Sequence, residues 1–252
     1  MATEGGVGAS LLRWAFRVLI ALVFVGLLGV GVLLVVTPSA DRAHGVVRAL
    51  AQKRGIAYPG SAAPERFAKA LIATEDKRFL SPLDPGIDAV AIARVVFGRL
   101  AGFSDQGGST IDQQLAKMLF SPREHGLWTE LERMAIALKL NAAYDRGEIL
   151  AMYAELAYYG HGYYGLSAAS CGYFGKSPTE MTWSQSAMLA GAVNAPSLDD
   201  PILSPSSANA RLKHVFGRLV AVGDLRADDA NAAQLQPLGL ARSRQGADPI
   251  CR

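Results

Sequence analysis

The chain has 252 residues, a formal net charge of +3 and two cysteines, and half of its residues are hydrophobic. That balance excludes a disordered chain, a disulfide-built scaffold and, with no basic stripe, a nucleic-acid binder. Mean hydropathy is +0.19, and much of it is concentrated near the N-terminus.

Residues 1–17 read as a short cytoplasmic segment, and Val18–Val36 as a membrane anchor without one polar side chain. Nineteen helical residues rise about 28 Å, close to the roughly 30 Å hydrocarbon core. A signal peptide has a shorter apolar core of about 7–15 residues, and a buried core helix is seldom so evenly apolar. Arg13 and Arg17 precede the run and Trp14 marks the interface, so the positive-inside rule places everything after Thr37 outside the cytoplasm. Residues 37–64, punctuated by Pro38, Pro59, Gly60 and Pro64, read as a stalk.

Helical patterns follow at about 65–79, 88–100, 109–120, 127–143 and 207–222, the last closed by Gly223. Ser109 is the expected N-cap of the third, with Asp112 three residues on. The fourth is apolar nearly all round beyond Met134, as a central helix would be. Asp145 to Glu148 and Ser177 to Glu180 have the form of capping boxes. No alternating strands or hairpin dipeptides occur. The polar stretch from 225 to 252 reads as a loosely held tail, and Cys171 as a buried thiol, with Cys251 in the tail. One α-rich domain over 65–224 is expected.

Two groups of residues suggest chemistry. Phe67, Leu71, Glu75 and Phe79 are spaced by four, which puts an acid among large apolar side chains, where desolvation raises its affinity for a proton. In GGSTIDQQLAK, residues 107–117, glycines precede a helix whose first N–H groups suit an anion. Ser109, Gln113 and Lys117 form a polar face opposite Ile111, Leu115 and Leu119. A structural ion pair for Glu75 and a solvated helix face for the second group are the plainer alternatives.

ATEDKRF, GGSTIDQQLAKMLF, EILAMYAELAYYGHGYYG, SAASCGYFGKSP and SAMLAGAVNAPS occur in this order. Together they resemble the peptidoglycan glycosyltransferase domain of glycosyltransferase family 51, over about residues 65–205. The chain ends soon after, which is similar to the monofunctional, membrane-anchored members. The resemblance implies a mainly α, two-lobed, lysozyme-like domain. Its implied activity is inverting transfer that polymerises lipid II on the periplasmic side of the bacterial inner membrane. The partners implied are lipid II, the glycan strand on undecaprenyl pyrophosphate, the membrane and wall-synthesis proteins. No tightly bound cofactor and no protein metal site are implied, although a divalent cation beside pyrophosphate is compatible.

By position, Glu75 matches the general base of the family's E-D-x-x-F motif, and Asp76 and Phe79 match the same motif. Ser109, Thr110, Gln113, Gln114 and Lys117 match the second motif, with Lys117 serving the phosphate-bearing donor. Arg94 matches an arginine after the first motif. Three departures stand out. The first motif continues F-x-x-H-x-G in the family, whereas here Phe79 is followed by LSPLDPG, two residues longer and without histidine. The third, R-K-x-x-E, falls on Thr129, Glu130 and Arg133, so an arginine replaces the second glutamate. The asparagine of Y-L-N is Glu155. Glu132, Glu130 and Glu155 are therefore the candidates for a second carboxylate, and Arg133 for binding diphosphate. A non-catalytic relative that binds lipid-linked glycan, and a lysozyme-type hydrolase using Glu75, are the alternative readings.

Overall fold

In the computed structural model, the described residues are 4–56, 58, 62–88, 109–120 and 126–241. The helix expected over 88–100 and Arg94 lie outside them. The described elements are helical, and the isolated bridge between Tyr158 and Tyr164 is their one strand-like pairing. The mainly α class therefore holds.

The first helix, α1 (Glu4–Val36), begins well before the apolar run. Its best 18-residue window has a mean hydropathy of 3.1 and none of it is buried in the protein. By length and composition it is able to cross a bilayer. It meets the domain at its last turn. There Lys139 Nζ donates to Thr37 O at 2.7 Å, Thr37 Oγ1 at 2.9 Å and Pro38 O at 3.0 Å, a cation closing the carbonyl end of a helix.

A second helix, α2 (Ala43–Lys53), follows where the sequence suggests a stalk. Ala43, Val47 and Ala51 are all fully buried, so this segment belongs to the core. The other helices are α3 (Glu65–Glu75), α4 (Ile111–Phe120), α5 (Leu127–Ala143), α6 (Arg146–Leu156), α7 (Leu166–Phe174), α8 (Trp183–Ala192), α9 (Pro205–Val222) and α10 (Ala227–Gln234). They pack in two groups. One is α3, α8, α9 and α10, and the other is α2, α4, α5 and α6, with α7 touching both α6 and α8. A single buried apolar cluster runs through both.

Several local expectations need correction. The third helix ends at Glu75, and Phe79 sits in the following turn, its N–H bonded to Asp76 O, yet it is still fully buried. Thr110, not Ser109, caps α4: Thr110 Oγ1 accepts from Gln113 N at 3.2 Å, and Gln113 Oε1 accepts from Thr110 N at 2.9 Å. Asp112 is thereby released from capping, and it is completely buried. The boxes at Asp145 and Ser177 form as expected, the second opening a 3-10 turn. The stretch read as a loose tail is docked as far as it is described. Ala230 and Ala233 are buried, Gln185 Nε2 donates to Leu238 O, and Ala241 N donates to Tyr173 O. Cys171 is half-buried on α7 and disulfide-bonded, not a buried thiol.

Helix α8 explains how the first group closes on itself. Every residue from Ser184 to Ala192 is buried, and most are small, so α3 and α9 approach it closely. At Gly191 a Cβ would meet Arg211 Cγ and Val215 Cγ2 at 3.0 Å. The missing methyl lets α9 lie against α8 and carries Arg211 to the end of α3.

Candidate functional site

Glu75 is the last residue of α3, where the two helix groups meet. A carboxylate at the negative end of a helix dipole is unfavourable alone. Two arginines from α9 compensate. Arg211 Nη2 lies 2.8 Å from Glu75 Oε1, and Arg218 Nε donates to Ala73 O at 3.0 Å. Arg211 Nε also donates to Gly191 O at 3.0 Å, which fixes the guanidinium. His214, on the same helix, is pushed below the usual histidine range by burial and by Arg211 and Arg218, with Glu75 opposing.

The other carboxylate oxygen faces α4. Gln114 Nε2 donates to Glu75 Oε2 at 3.1 Å, and Gln114 Oε1 accepts from Tyr153 OH at 2.7 Å. Burial, aided by the Glu75 charge, holds the Tyr153 hydroxyl far above its usual value, so it serves as a fixed donor. That donor sets the amide so that its N–H points at Glu75. The side chain of Glu75 is 10% exposed, so its carboxylate stands at the edge of solvent between two cross-braced helices.

Around this centre the remaining sequence candidates are unevenly placed. Ser109 is exposed, and its carbonyl accepts weakly from Gln114 Nε2 at 3.4 Å. Thr110 is buried, donating Oγ1 to Gly86 O at 2.6 Å, and Gln113 is occupied by the cap. Lys117 is exposed one turn beyond Gln114 on α4. Arg133 is buried in the face of α5 and paired with Glu130 Oε1 at 2.6 Å. This ion pair has the polarity opposite to that of the lysine and glutamate which the sequence resemblance implies at the two positions. Glu132 is half-buried on the same helix. Glu155 is buried with Oε2 lacking a hydrogen-bond partner; its neighbours are Gly165, Tyr58 and Tyr159, whereas those of Glu75 are Gln114 and Arg211. Desolvation raises Glu155 to about 7.

Beside Glu75, Asp76 turns inward and accepts from Ile111 N at 3.2 Å. It meets Asp84 and Asp112, one oxygen of each lying within 4.8 Å of the others. Such an all-oxygen cluster suits a hard cation in principle. Here, however, Arg146 supplies the positive charge, 3.6 Å from Asp112 and 4.0 Å from Asp84.

Sequence reasoning missed Arg211, Tyr153, Asp84, Asp112 and Arg146. Tyr153 lies inside a block that carries the family resemblance, and Asp84 inside a departure from it; Arg211 has no local signature at all.

Residues 44–220 match the transglycosylase family. Penicillin-binding protein 1F of Bacillus subtilis is 38% identical over 187 residues, which are 74% of this chain and 26% of that protein. Penicillin-binding protein 1A of Mycobacterium tuberculosis is 38% identical over 182 residues, 70% of this chain and 22% of its own length. A candidate transglycosylase of Cupriavidus necator is 32% identical over 177 residues, 70% of this chain and 76% of that protein. This chain thus spans about a quarter of the two penicillin-binding proteins and three quarters of the third relative. A crystal structure of penicillin-binding protein 1A from Haemophilus influenzae overlaps 54% of this chain and 17% of its own at 27% identity, with a TM-score of 0.38. Matched over more than two thirds of its length, the chain belongs to the transglycosylase family.

Proposed function

We propose that the protein is a membrane-anchored peptidoglycan glycosyltransferase that joins lipid II units into glycan strands. The observation that carries this reading is Glu75, held at the junction of the helix groups by Gln114 from one and Arg211 from the other. In the proposed reaction its carboxylate removes the proton of the acceptor sugar's 4-hydroxyl. The oxygen attacks the anomeric carbon of the donor from the face opposite its diphosphate. The bond from carbon to diphosphate oxygen breaks, and undecaprenyl diphosphate leaves with the electron pair, inverting that carbon. Glu75 then gives its proton to water. Lys117, exposed at the next turn of α4, and Arg94 are suited to neutralise the departing charge. With α1 in the inner membrane and Arg13 and Arg17 on its cytoplasmic side, the domain reaches lipid-linked precursors from the periplasmic face.

The charge-exchanged pair of Glu130 and Arg133 favours a second reading, a slow or inactive relative that still binds lipid-linked glycan. Labelled lipid II and the full-length protein in detergent separate the two. Polymer from the wild type that falls about 10²–10⁴-fold in Glu75→Gln, with binding kept, is the expected result. Binding without polymer would select the second reading, and a wild-type rate in Glu75→Gln would remove Glu75 from the chemistry.

A further inference from the structure

The carboxylates of Asp76, Asp84 and Asp112 come from the end of α3, the loop behind it and the first turn of α4, and none of the three residues is more than 8% exposed. The charged group facing them from α6 is Arg146. Arg78, in the turn after α3, acts on Asp76 but is itself paired with Asp88 at 2.6 Å. From α5 comes only the neutral amide of Asn141. Among the described residues, three carboxylates against one partly buried guanidinium leave an excess of negative charge where burial makes each unit costly.

Two independent features point to a proton there. Asp84 Oδ2 and Asp112 Oδ2 are buried and make no hydrogen bond, Arg146 standing off at 4.0 and 3.6 Å, and an ionised oxygen left without a hydrogen bond is penalised more than a neutral one. The second is Asn141. Gly86 N at 3.1 Å, Arg146 Nη2 at 2.9 Å and Arg146 Nη1 all converge on one atom of its amide, and three donors require that atom to be the oxygen. The same atom lies 3.3 Å from Asp112 Oδ1. A proton on Asp112 turns that contact into a hydrogen bond, and of the two groups the carboxyl is the one that can carry it.

We propose that Asp112 is a protonated positioning residue, whose neutral carboxyl donates to Asn141 and latches the first turn of α4 to the end of α3. The latch is completed by Asp76 on Ile111 N and by Thr110 on Gly86 O, so it sets Gln114 against Glu75. Burial, with the neighbouring Asp84 charge, pushes Asp112 and Asp76 each up to about 6, Arg146 opposing at Asp112. Both lie above their ordinary value of 3.8. The folded state therefore keeps protons that the unfolded chain has lost, and stability drains away as pH rises from about 4 through about 6.

Thermal unfolding of the full-length protein in detergent between pH 4 and 8 tests this without reference to catalysis. Asp112→Asn carries a donor N–H at every pH. It should lose the part of the slope that Asp112 contributes between about pH 4 and 6, leaving the parts due to Asp76 and Glu155, match the wild type at pH 4 and melt several degrees above it at pH 8. Asp84→Asn, which removes one neighbouring charge, should move the midpoint of the slope to lower pH. A loss of stability in Asp112→Asn that is equal at all pH values, or an unmoved midpoint in Asp84→Asn, overturns the latch. So does a wild-type melting temperature at pH 8 that rises with millimolar Ca2+ or Mg2+ and falls with chelator, since the cluster would then hold a cation in place of a proton.

Discussion

Replacing Arg211 with methionine tests whether the brace on Glu75 is as strong as its geometry implies. Methionine keeps an unbranched stem for packing against Gly191 but removes the 2.8 Å pair with Glu75 and the 3.0 Å bond to Gly191 O. Glu75 would then retain only the Gln114 amide at 3.1 Å. Removing one partner of a fully buried pair costs about 3–5 kcal/mol. The two side chains are 18% and 10% exposed, so water recovers part of that loss, and about 2–3 kcal/mol is expected. For a domain of this size that is a fall of roughly 5–10 °C in melting temperature. The clean measurement is a double-mutant cycle with Glu75→Gln, followed by thermal unfolding at low and high salt. A coupling energy above about 1 kcal/mol that survives salt supports a desolvated brace. Coupling under about 0.5 kcal/mol would show the pair to be an ordinary solvated contact and would refute the reasoning that Arg211 places the carboxylate.

Much of the fold is legible because its boundaries carry local chemistry. Helix α5 runs from Leu127 to Ala143 as the periodicity predicts, and the reciprocal bonds of Asp145 and Glu148 start α6 where the pattern places them. Two of the failures, the stalk and the tail, share a cause. Helix α2 buries Ala43, Val47 and Ala51, and α10 buries Ala230 and Ala233. Alanine adds little to a hydrophobic periodicity, so faces built on it read as polar linkers, although small side chains let these helices pack closely. The N-cap of α4 was ambiguous locally, since Ser109 and Thr110 each have a polar residue three positions on. The decision is tertiary: burying Asp112 among Asp84, Asn141 and Arg146 leaves Gln113 to close the box with Thr110.

The site divides along the same line. Glu75 and Gln114 fall in strings specific enough to be recognised, and the structure joins them directly. Arg211 is 136 residues away from Glu75 along the chain and sits on an ordinary amphipathic helix, so only the packing of α9 on α8 reveals it. The carboxylate cluster is equally invisible from sequence, because its three acids belong to three elements. Each one alone reads as a cap, a turn residue or a motif position.

Two further outcomes follow from buried charge. Glu155 is raised by desolvation from 4.5 to about 7, so the folded state holds a proton that the unfolded chain loses between those values. Its stabilising contribution therefore declines as pH rises through that window, by an order of 3 kcal/mol in full. Glu155→Gln should flatten that part of the melting profile and be the more stable form at pH 8, and an unchanged profile would show that Glu155 is solvated. The other concerns Arg133. With only 6% of its side chain exposed and Glu130 as its partner, the single change Arg133→Glu sets two carboxylates together on one face of α5. That form should be destabilised by about 3 kcal/mol or more, which would hide any catalytic gain. Glu130→Lys combined with Arg133→Glu restores an ion pair of the opposite polarity and places a carboxylate where the sequence resemblance implies one. It should melt close to the wild type and polymerise lipid II at least about tenfold faster. That pair of results would identify the natural protein as an attenuated transferase whose donor side lacks its acid. A double variant that folds but loses a wild-type activity would instead make Arg133 a working replacement, binding diphosphate directly, and would remove the ground for reading the protein as a non-catalytic relative.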